Sequence, residues 1–496
     1  MCHPRCADPC LPPPSCPIFP LKHSAMTHDP SHRVALLRRP GLAYHEPPPF
    51  DPPNPVYEAV ETLFRTLGLD AARAGSPDWN PLGDIIRPGD RVIIKPNFVS
   101  SRNLHDKITG AKLQASSTHG SLLRPILDYA LRAATTTGSV RVVDTPVEGC
   151  EIDKVIQPLG VQSLIHHLNR RGHDVDFIDL RYFHLAPRFA LDDVRRLGRS
   201  FNLGVLQRLP LPGDPRGYHV VDLADQSRLE HPDVQLDRLC FHRSHRATPR
   251  ARHARGRHQY GIPATVLGAD VIINLPKLKT HKKTGVTLSL KSFIGLSHEK
   301  YWLPHFTAGH PGVGGDEFER PQSASDRLEA FLSRAPLSGG HSLVARAPRL
   351  RTAPRIIDGS WEGNDTLWRT ILDLNRAILF ADRDGRLQNT QQRRYLAIVD
   401  GVVAGEGEGP LGATPVDAGL LVAGRDPALV DHVATQAMGL DPSRIVMIRE
   451  ALDGKLLPSG HLDRLDLVTE GPAFERTFRP PRSWPSLAPS HSTKVS

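Results

Sequence analysis

The stretch "ADVIINLPKLKTHKKTGVTLSLKSFIGL" (residues 269–296) decides how the rest of the chain is read. It opens on a short apolar run rich in β-branched residues, Val271 to Leu275, the pattern of a buried strand. A dense basic turn follows, with Lys277, Lys279, His281, Lys282 and Lys283. Val286, Leu290 and Phe293 then recur at i, i+4 and i+7. This spacing predicts a helix over 284–296, with Thr284, Thr287 and Lys291 on another face. Strand, polar turn and helix together make the unit of a mostly parallel sheet with both faces covered.

The unit recurs on either side. "RVIIK" (91–95), "SVRVVDTP" (139–146), "HDVDFIDL" (173–180), "RYLAIVDGV" (394–402) and "AGLLVAGRDP" (418–427) read as strands. Helices are expected over 56–70, stopping near Gly68, over 119–134, over 153–172 with a break near Pro158, and over 365–381. Another is expected over 426–439, with Asp426 as N-cap, Pro427 at the first position and Gly439 as its stop. The expected fold class is α/β: a mostly parallel sheet with helices on both faces in Rossmann-like layers, plus a helical insertion. The parts expected are a disordered tail (1–30), a first α/β part (31–182), a polar Arg/His-rich insertion (183–260), α/β with the basic motif (261–320), a helical segment (321–393), a C-terminal α/β part (394–470) and a disordered tail (471–496).

Composition limits the partners. The formal net charge is +9, and the run "RSHRATPRARHARGRH" (243–258) holds six arginines and no acid. The rest of the chain is therefore near +3, which argues against a general nucleic-acid binder. The run itself reads as a solvated, flexible insertion that a partner protein could dock on. No stretch approaches the 18 or so apolar residues of a membrane helix, and the N-terminus lacks a signal-peptide core, so a cytoplasmic protein is expected. Cys2, Cys6, Cys10 and Cys16 match no common zinc or cluster spacing, and no iron–sulfur cluster is expected.

In open α/β sheets ligands sit beyond the carboxyl ends of the strands. There the sequence places Lys95 and Asn97, then Asp144, then Asn274, Lys277, Lys279 and His281, then Asp400, then Arg425 and Asp426. Cations just before a helix are unfavourable by roughly 0.3–1 kcal/mol each, so an anion at the helix start would offset them. Lys95, Asn97, Lys277, Lys291 and Thr284 are the expected substrate-binding residues. Lys279 and His281 are the expected catalytic pair, because an imidazole with an unperturbed pKa of about 6.5 suits proton transfer near neutrality. His305 and His310 are candidate helpers. Asp316, Glu317, Asp400, Glu406 and Glu408 are candidate ligands for a hard cation such as Mg or Mn.

Two motifs mislead. "GEGPLG" (407–412) fits a dinucleotide fingerprint, but a strand rather than a helix follows it, so no NAD motif is read. "GGDEF" (314–318) spells the signature of diguanylate cyclases. Its flanks, "HPGV" and "ERPQSASD", cannot form the apolar hairpin strands that signature needs.

"RVIIKPNFV" (91–99), "LPKLKTH" (275–281) within the opening stretch, "LAIVDGVVAGEGEGPLG" (396–412) and "GRDPALVDHVATQAMGLDP" (424–442) resemble the family called domain of unknown function 362. The likeness covers most of 90–450 in segments. "STHGSLLRPILDYAL" (117–131), "YWLPHFTAGHPGVGGDEF" (301–318) and "GNDTLWRTILDLNRAILF" (363–380) resemble a subgroup often found beside polysaccharide-biosynthesis genes. The resemblance implies an α/β fold with a shared pocket and supplies no reaction. Many members carry cysteine motifs for iron–sulfur clusters, which the body of this chain lacks.

The expectation is thus a soluble enzyme acting on an anionic small molecule, phosphorylated or carboxylated and sugar-related, in polysaccharide biosynthesis. The alternatives are a non-catalytic ligand-binding or scaffold protein of a glycan-assembly system, and a redox accessory protein with metal at the N-terminal cysteines.

Overall fold

A computed structural model describes residues 30–101, 108–187, 206–242, 247–321, 358–454 and 461–487. Its centre is a ten-stranded sheet. The strands are β1 (Arg33–Arg38), β2 (Arg91–Pro96), β3 (Ser139–Asp144), β4 (Val175–Asp179), β5 (Val271–Leu275), β6 (Lys277–His281), β7 (Gly285–Val286), β8 (Arg394–Glu408), β9 (Gly412–Gly424) and β10 (Asp466–Glu470). The order across the sheet is β10-β1-β9-β8-β5-β2-β3-β4, with β6 and β7 off that path. Five of the seven ladders along the path are parallel. The two involving β9 are antiparallel. The expected α/β class with a mostly parallel sheet therefore holds.

The central strands β2, β5 and β8 carry near-continuous apolar runs because the sheet is covered on both faces. Val92 and Ile94 of β2 enter one core while Ile93 enters the other. Ile273 and Ile272 of β5, and Ile398 and Val399 of β8, divide the same way. On the first face lie α1 (Pro55–Leu67), α2 (Gly110–Ser116), α3 (Gly120–Ala134) and α4 (Val161–Arg170). On the second lie α5 (Leu288–Ser292), α6 (Leu367–Phe380), α7 (Pro427–Ala437) and α8 (Val446–Ala451).

Local signals explain the helix ends. Asn54 caps α1 by accepting the Tyr57 amide at 2.8 Å, Pro55 opens the helix, and Gly68 closes it at φ +82°. Asp426 caps α7 by accepting the amides of Ala428 and Leu429.

Several expectations are corrected. The helix over 284–296 is only α5 plus a 3-10 turn over Phe293–Leu296. The residues before it are not a turn: Lys277–His281 is the strand β6, and Gly285–Val286 returns along it as β7. Pro276 lacks an amide hydrogen, so it interrupts the run that began as β5. The chain then resumes pairing with β8, Lys277 opposite Asp400 and Lys279 opposite Gly405. A long β8, extended by its hairpin with β9, gives this second strand something to pair with.

The Arg/His run is not a solvated insertion where it is described. Residues 247–252 form a short helix, and Arg257–Pro263 pairs antiparallel with Tyr218–Asp222, burying His253 and His258. Within the expected helical segment, α6 is a core helix; 322–357 lie outside the described residues. The expected C-terminal tail is packed as far as residue 487, with Phe478, Trp484 and Leu487 buried in the core. Residues 488–496 lie outside the described residues, as does 1–29 with its four cysteines. No helix among the described residues is long and apolar enough to cross a membrane.

Candidate functional site

The chain runs β2, β3, β4 outward from the middle of the sheet, then crosses back to place β5 on the other side of β2. Such a switch point leaves a crevice beyond the carboxyl ends of β2 and β5. A cavity of about 270 Å³ lies there, lined by Lys95 and Asn97 after β2, Asp144 and Glu148 after β3, Lys279, His281, Lys282 and Lys283 from β6 and its turn, and Thr287, Leu288 and Lys291 from α5. Gly295, Lys300 and His305, with Phe241 and Pro410, complete much of the wall. Six lysines face two carboxylates.

At the cavity floor, Lys95 Nζ stands 2.9 Å from Asp144 Oδ1, both side chains buried. The Asp144 carboxylate also accepts the amides of Phe98 and Thr145, each at 2.7 Å. Burial pushes the Asp144 carboxyl up and the Lys95 ammonium down, and their mutual attraction opposes both shifts. Gly295 closes over this pair. A Cβ there would come 2.5 Å from Asp144 Oδ1 and 2.7 Å from Lys95 Nζ, so only glycine fits.

Lys279 is fully buried and has no carboxylate partner among the described residues. Its ammonium donates to Asn97 Oδ1 at 2.7 Å and to the Ser116 carbonyl. Burial, then the charges of Lys291, Lys277 and Lys95, hold it well below the ordinary lysine value. Lys291 is partly buried and its Nζ has no hydrogen bond or ion pair among the described residues. Burial and the ammonium groups of Lys283, Lys300 and Lys95 pull it down to about 7.

The two histidines are neutral and differ in tautomer. His281 Nδ1 accepts the Lys283 amide at 3.0 Å, which leaves its proton on Nε2, and Thr284 Oγ1 steadies the ring at 3.2 Å. His305 Nδ1 faces the Leu303 carbonyl at 3.0 Å, which makes Nδ1 the donor and Nε2 the acceptor. Burial, followed by lysine charges, keeps both rings well below the usual histidine value. His281 is thus not poised near neutrality as its residue type suggests.

Leu288 holds φ +51°, a conformation uncommon for a branched side chain. Asp431 of α7 fixes it by accepting the amides of Ser289 at 2.6 Å and Leu290 at 2.9 Å. This turn presents Thr287 and Lys291 to the cavity.

The other expected residues fall elsewhere. Lys277 does not line the cavity. It is buried 3.1 Å from Asp400, whose carboxylate also accepts the Tyr44 hydroxyl at 2.7 Å and the His119 amide at 3.1 Å. Thr284 supports His281 and donates to the Val286 carbonyl. The five acids expected at a cation do not form one ligand group. Among the described residues no three His, Cys, Asp or Glu side chains are placed to hold a metal. Glu406 accepts Arg476 and the Arg479 amide, and Glu408 takes Lys282 and the Arg482 amide. Asp316 accepts the amides of Thr307, Asp365 and Thr366, tying the "GGDEF" turn to the start of α6. Neither Glu317 beside it nor His310 lines the cavity. "GEGPLG" is the tip of the β8–β9 hairpin, where Gly407 donates its amide to the Arg479 carbonyl.

Sequence reasoning placed Asp144 at a strand end without giving it a role, and missed Lys300 and Glu148, which do not directly follow an apolar run.

Residues 228–436 match the model of a family described as domain of unknown function (DUF362). The match covers less than half of the 496 residues, and over that segment the chain is similar to the family. The DUF362 match contains Lys279, His281, Lys291, Lys300 and His305, whereas Lys95, Asn97 and Asp144 come from the strands before it. The cavity is therefore built jointly by the DUF362 segment and the preceding α/β part. Comparison with curated proteins returns no match.

Proposed function

We propose that the chain is an enzyme acting on a small anionic metabolite, phosphorylated or carboxylated, bound in this cavity. One observation carries the reading: Lys279 and Lys291 line the cavity without a carboxylate partner among the described residues, although burying an unpaired ammonium is costly. A ligand anion would supply the missing charge. Lys279 would hold it, oriented by Asn97, with Lys283 and Lys300 adding to the positive field and Lys291 facing the same space.

Around such an anion, His281 Nε2–H would donate a hydrogen bond and His305 Nε2 would accept a proton. One donor and one acceptor are what a proton-transfer step needs. A divalent ion, Mg²⁺ or Mn²⁺, enters this reading bound to the ligand's own oxygens. A sugar phosphate of polysaccharide assembly is its finer form.

The test is thermal unfolding of the whole chain with inorganic pyrophosphate, sugar phosphates and nucleotide sugars, with and without Mg²⁺. A ligand at a hundred times its dissociation constant should add about 2.7 kcal/mol of stability. Lys279→Ala and His281→Ala should fold and lose that rise. An equal rise in wild type and both variants would count against the site.

A further inference from the structure

We propose that Lys291 is a nucleophilic amine that forms a Schiff base with the substrate, and that the substrate is a small carbonyl compound also bearing a phosphate or carboxylate. The inference rests on the anion-binding reading above and names its substrate class.

The geometry distinguishes Lys291 from the other cavity lysines. Lys95 is held by Asp144, Lys282 by Glu408, and Lys279 by Asn97 and the Ser116 carbonyl. Lys300 Nζ donates to the Thr145 carbonyl, and Lys283 Nζ is turned over the Phe306 ring, 5.6 Å from its centroid. Lys291 reaches the same cavity with its Nζ unengaged among the described residues, from a turn fixed by Asp431. An amine must be both uncharged and accessible to attack a carbonyl, and enclosure beside other cations favours the uncharged form. Near neutrality a substantial share of Lys291 is free amine, given its value of about 7.

The step balances without a further reagent. The Lys291 nitrogen lone pair forms the N–C bond as the carbonyl π pair moves to oxygen. His305 Nε2 can take a proton from nitrogen and return it to oxygen. The oxygen departs as water with the two amine hydrogens, leaving C=N. The surrounding ammonium groups would hold the substrate's anion and, through it, the carbonyl against Lys291. When protonated, the imine can accept an electron pair from the neighbouring carbon.

The test uses the whole chain near pH 7 with two anionic aldehydes, pyridoxal 5′-phosphate and glyoxylate, and the uncharged propionaldehyde. Borohydride then reduces any imine to a stable amine, and peptide mass spectrometry locates it. The expected result is modification concentrated at Lys291, at least tenfold above any other lysine, from one or both anionic aldehydes and not from propionaldehyde. Pyrophosphate should protect, and Lys291→Arg should abolish the label. The aldehyde that labels better tells phosphate from carboxylate. Labelling spread over surface lysines, or placed on Lys279, would overturn the proposal. If pyrophosphate stabilises the protein while Lys291 stays unlabelled, the Schiff base fails and the anion site stands. If pyrophosphate, sugar phosphates and nucleotide sugars all fail to stabilise and Lys291 stays unlabelled, both readings fail.

Discussion

Lys277 and Lys279 are two residues apart on one strand and sit in opposite electrostatic surroundings. Lys277 is matched by Asp400 at 3.1 Å and enclosed with Tyr44 away from the cavity. Lys279 is equally buried, but neutral oxygens are its partners and more lysines its neighbours. Lys95 and Lys291 repeat the contrast across the site, one held by Asp144 and the other unmatched among the described residues. The matched pairs fasten the end of the sheet. The unmatched lysines have no compensating carboxylate among the described residues, which is why they are read as ligand groups.

The comparison can be broken most forcefully at the matched pair. Asp400→Asn should leave Lys277 charged and uncompensated and cost about 3–5 kcal/mol in urea unfolding. A loss below about 1 kcal/mol would show that Lys277 needs no anion and would dissolve the distinction. Gly295→Val comes next. Its side chain would wedge between Lys95 and Asp144, with an expected loss of about 1–3 kcal/mol and loss of any pyrophosphate-induced rise in Tm. The gentlest change sharpens the other side. Lys291→Met should raise Tm without ligand. The folded-state value of Lys291 lies below its unfolded value of 10.5, so its penalty is full below about 7 and fades as pH rises to 10.5. The gain from Lys291→Met should therefore be larger at pH 7 than at pH 10.

Much of the scaffold was legible because its signals are local. Asn54 with Pro55, and Asp426 with Pro427, fix helix starts by short-range hydrogen bonds. Apolar runs such as Val271–Leu275 mark buried strands without reference to neighbours. The basic motif misled because its state depends on a distant partner. Lys277–His281 is a strand only because β8 runs on far enough to pair with it, and no residue near 277 reports the length of β8. The same limit hid the site's chemistry. His281 and Lys279 were readable as polar groups at a strand end. That His281 is held neutral, or that Asp144 neutralises Lys95 while no described carboxylate neutralises Lys291, follows only from three-dimensional burial and contact.

The place of β1 in the sheet has a consequence for synthesis. Its neighbours are β9 and β10, with Arg33 opposite Asp466 and Val34 opposite Gly424. A ribosome releases β1 long before either partner, so both of its hydrogen-bonding edges wait unpaired through most of translation. Pairing so distant in sequence is slow to form and exposes the nascent strand to wrong partners. For this chain, slowing translation would lengthen the time β1 spends alone, so the yield of folded protein should depend on elongation speed and on chaperones that shield it.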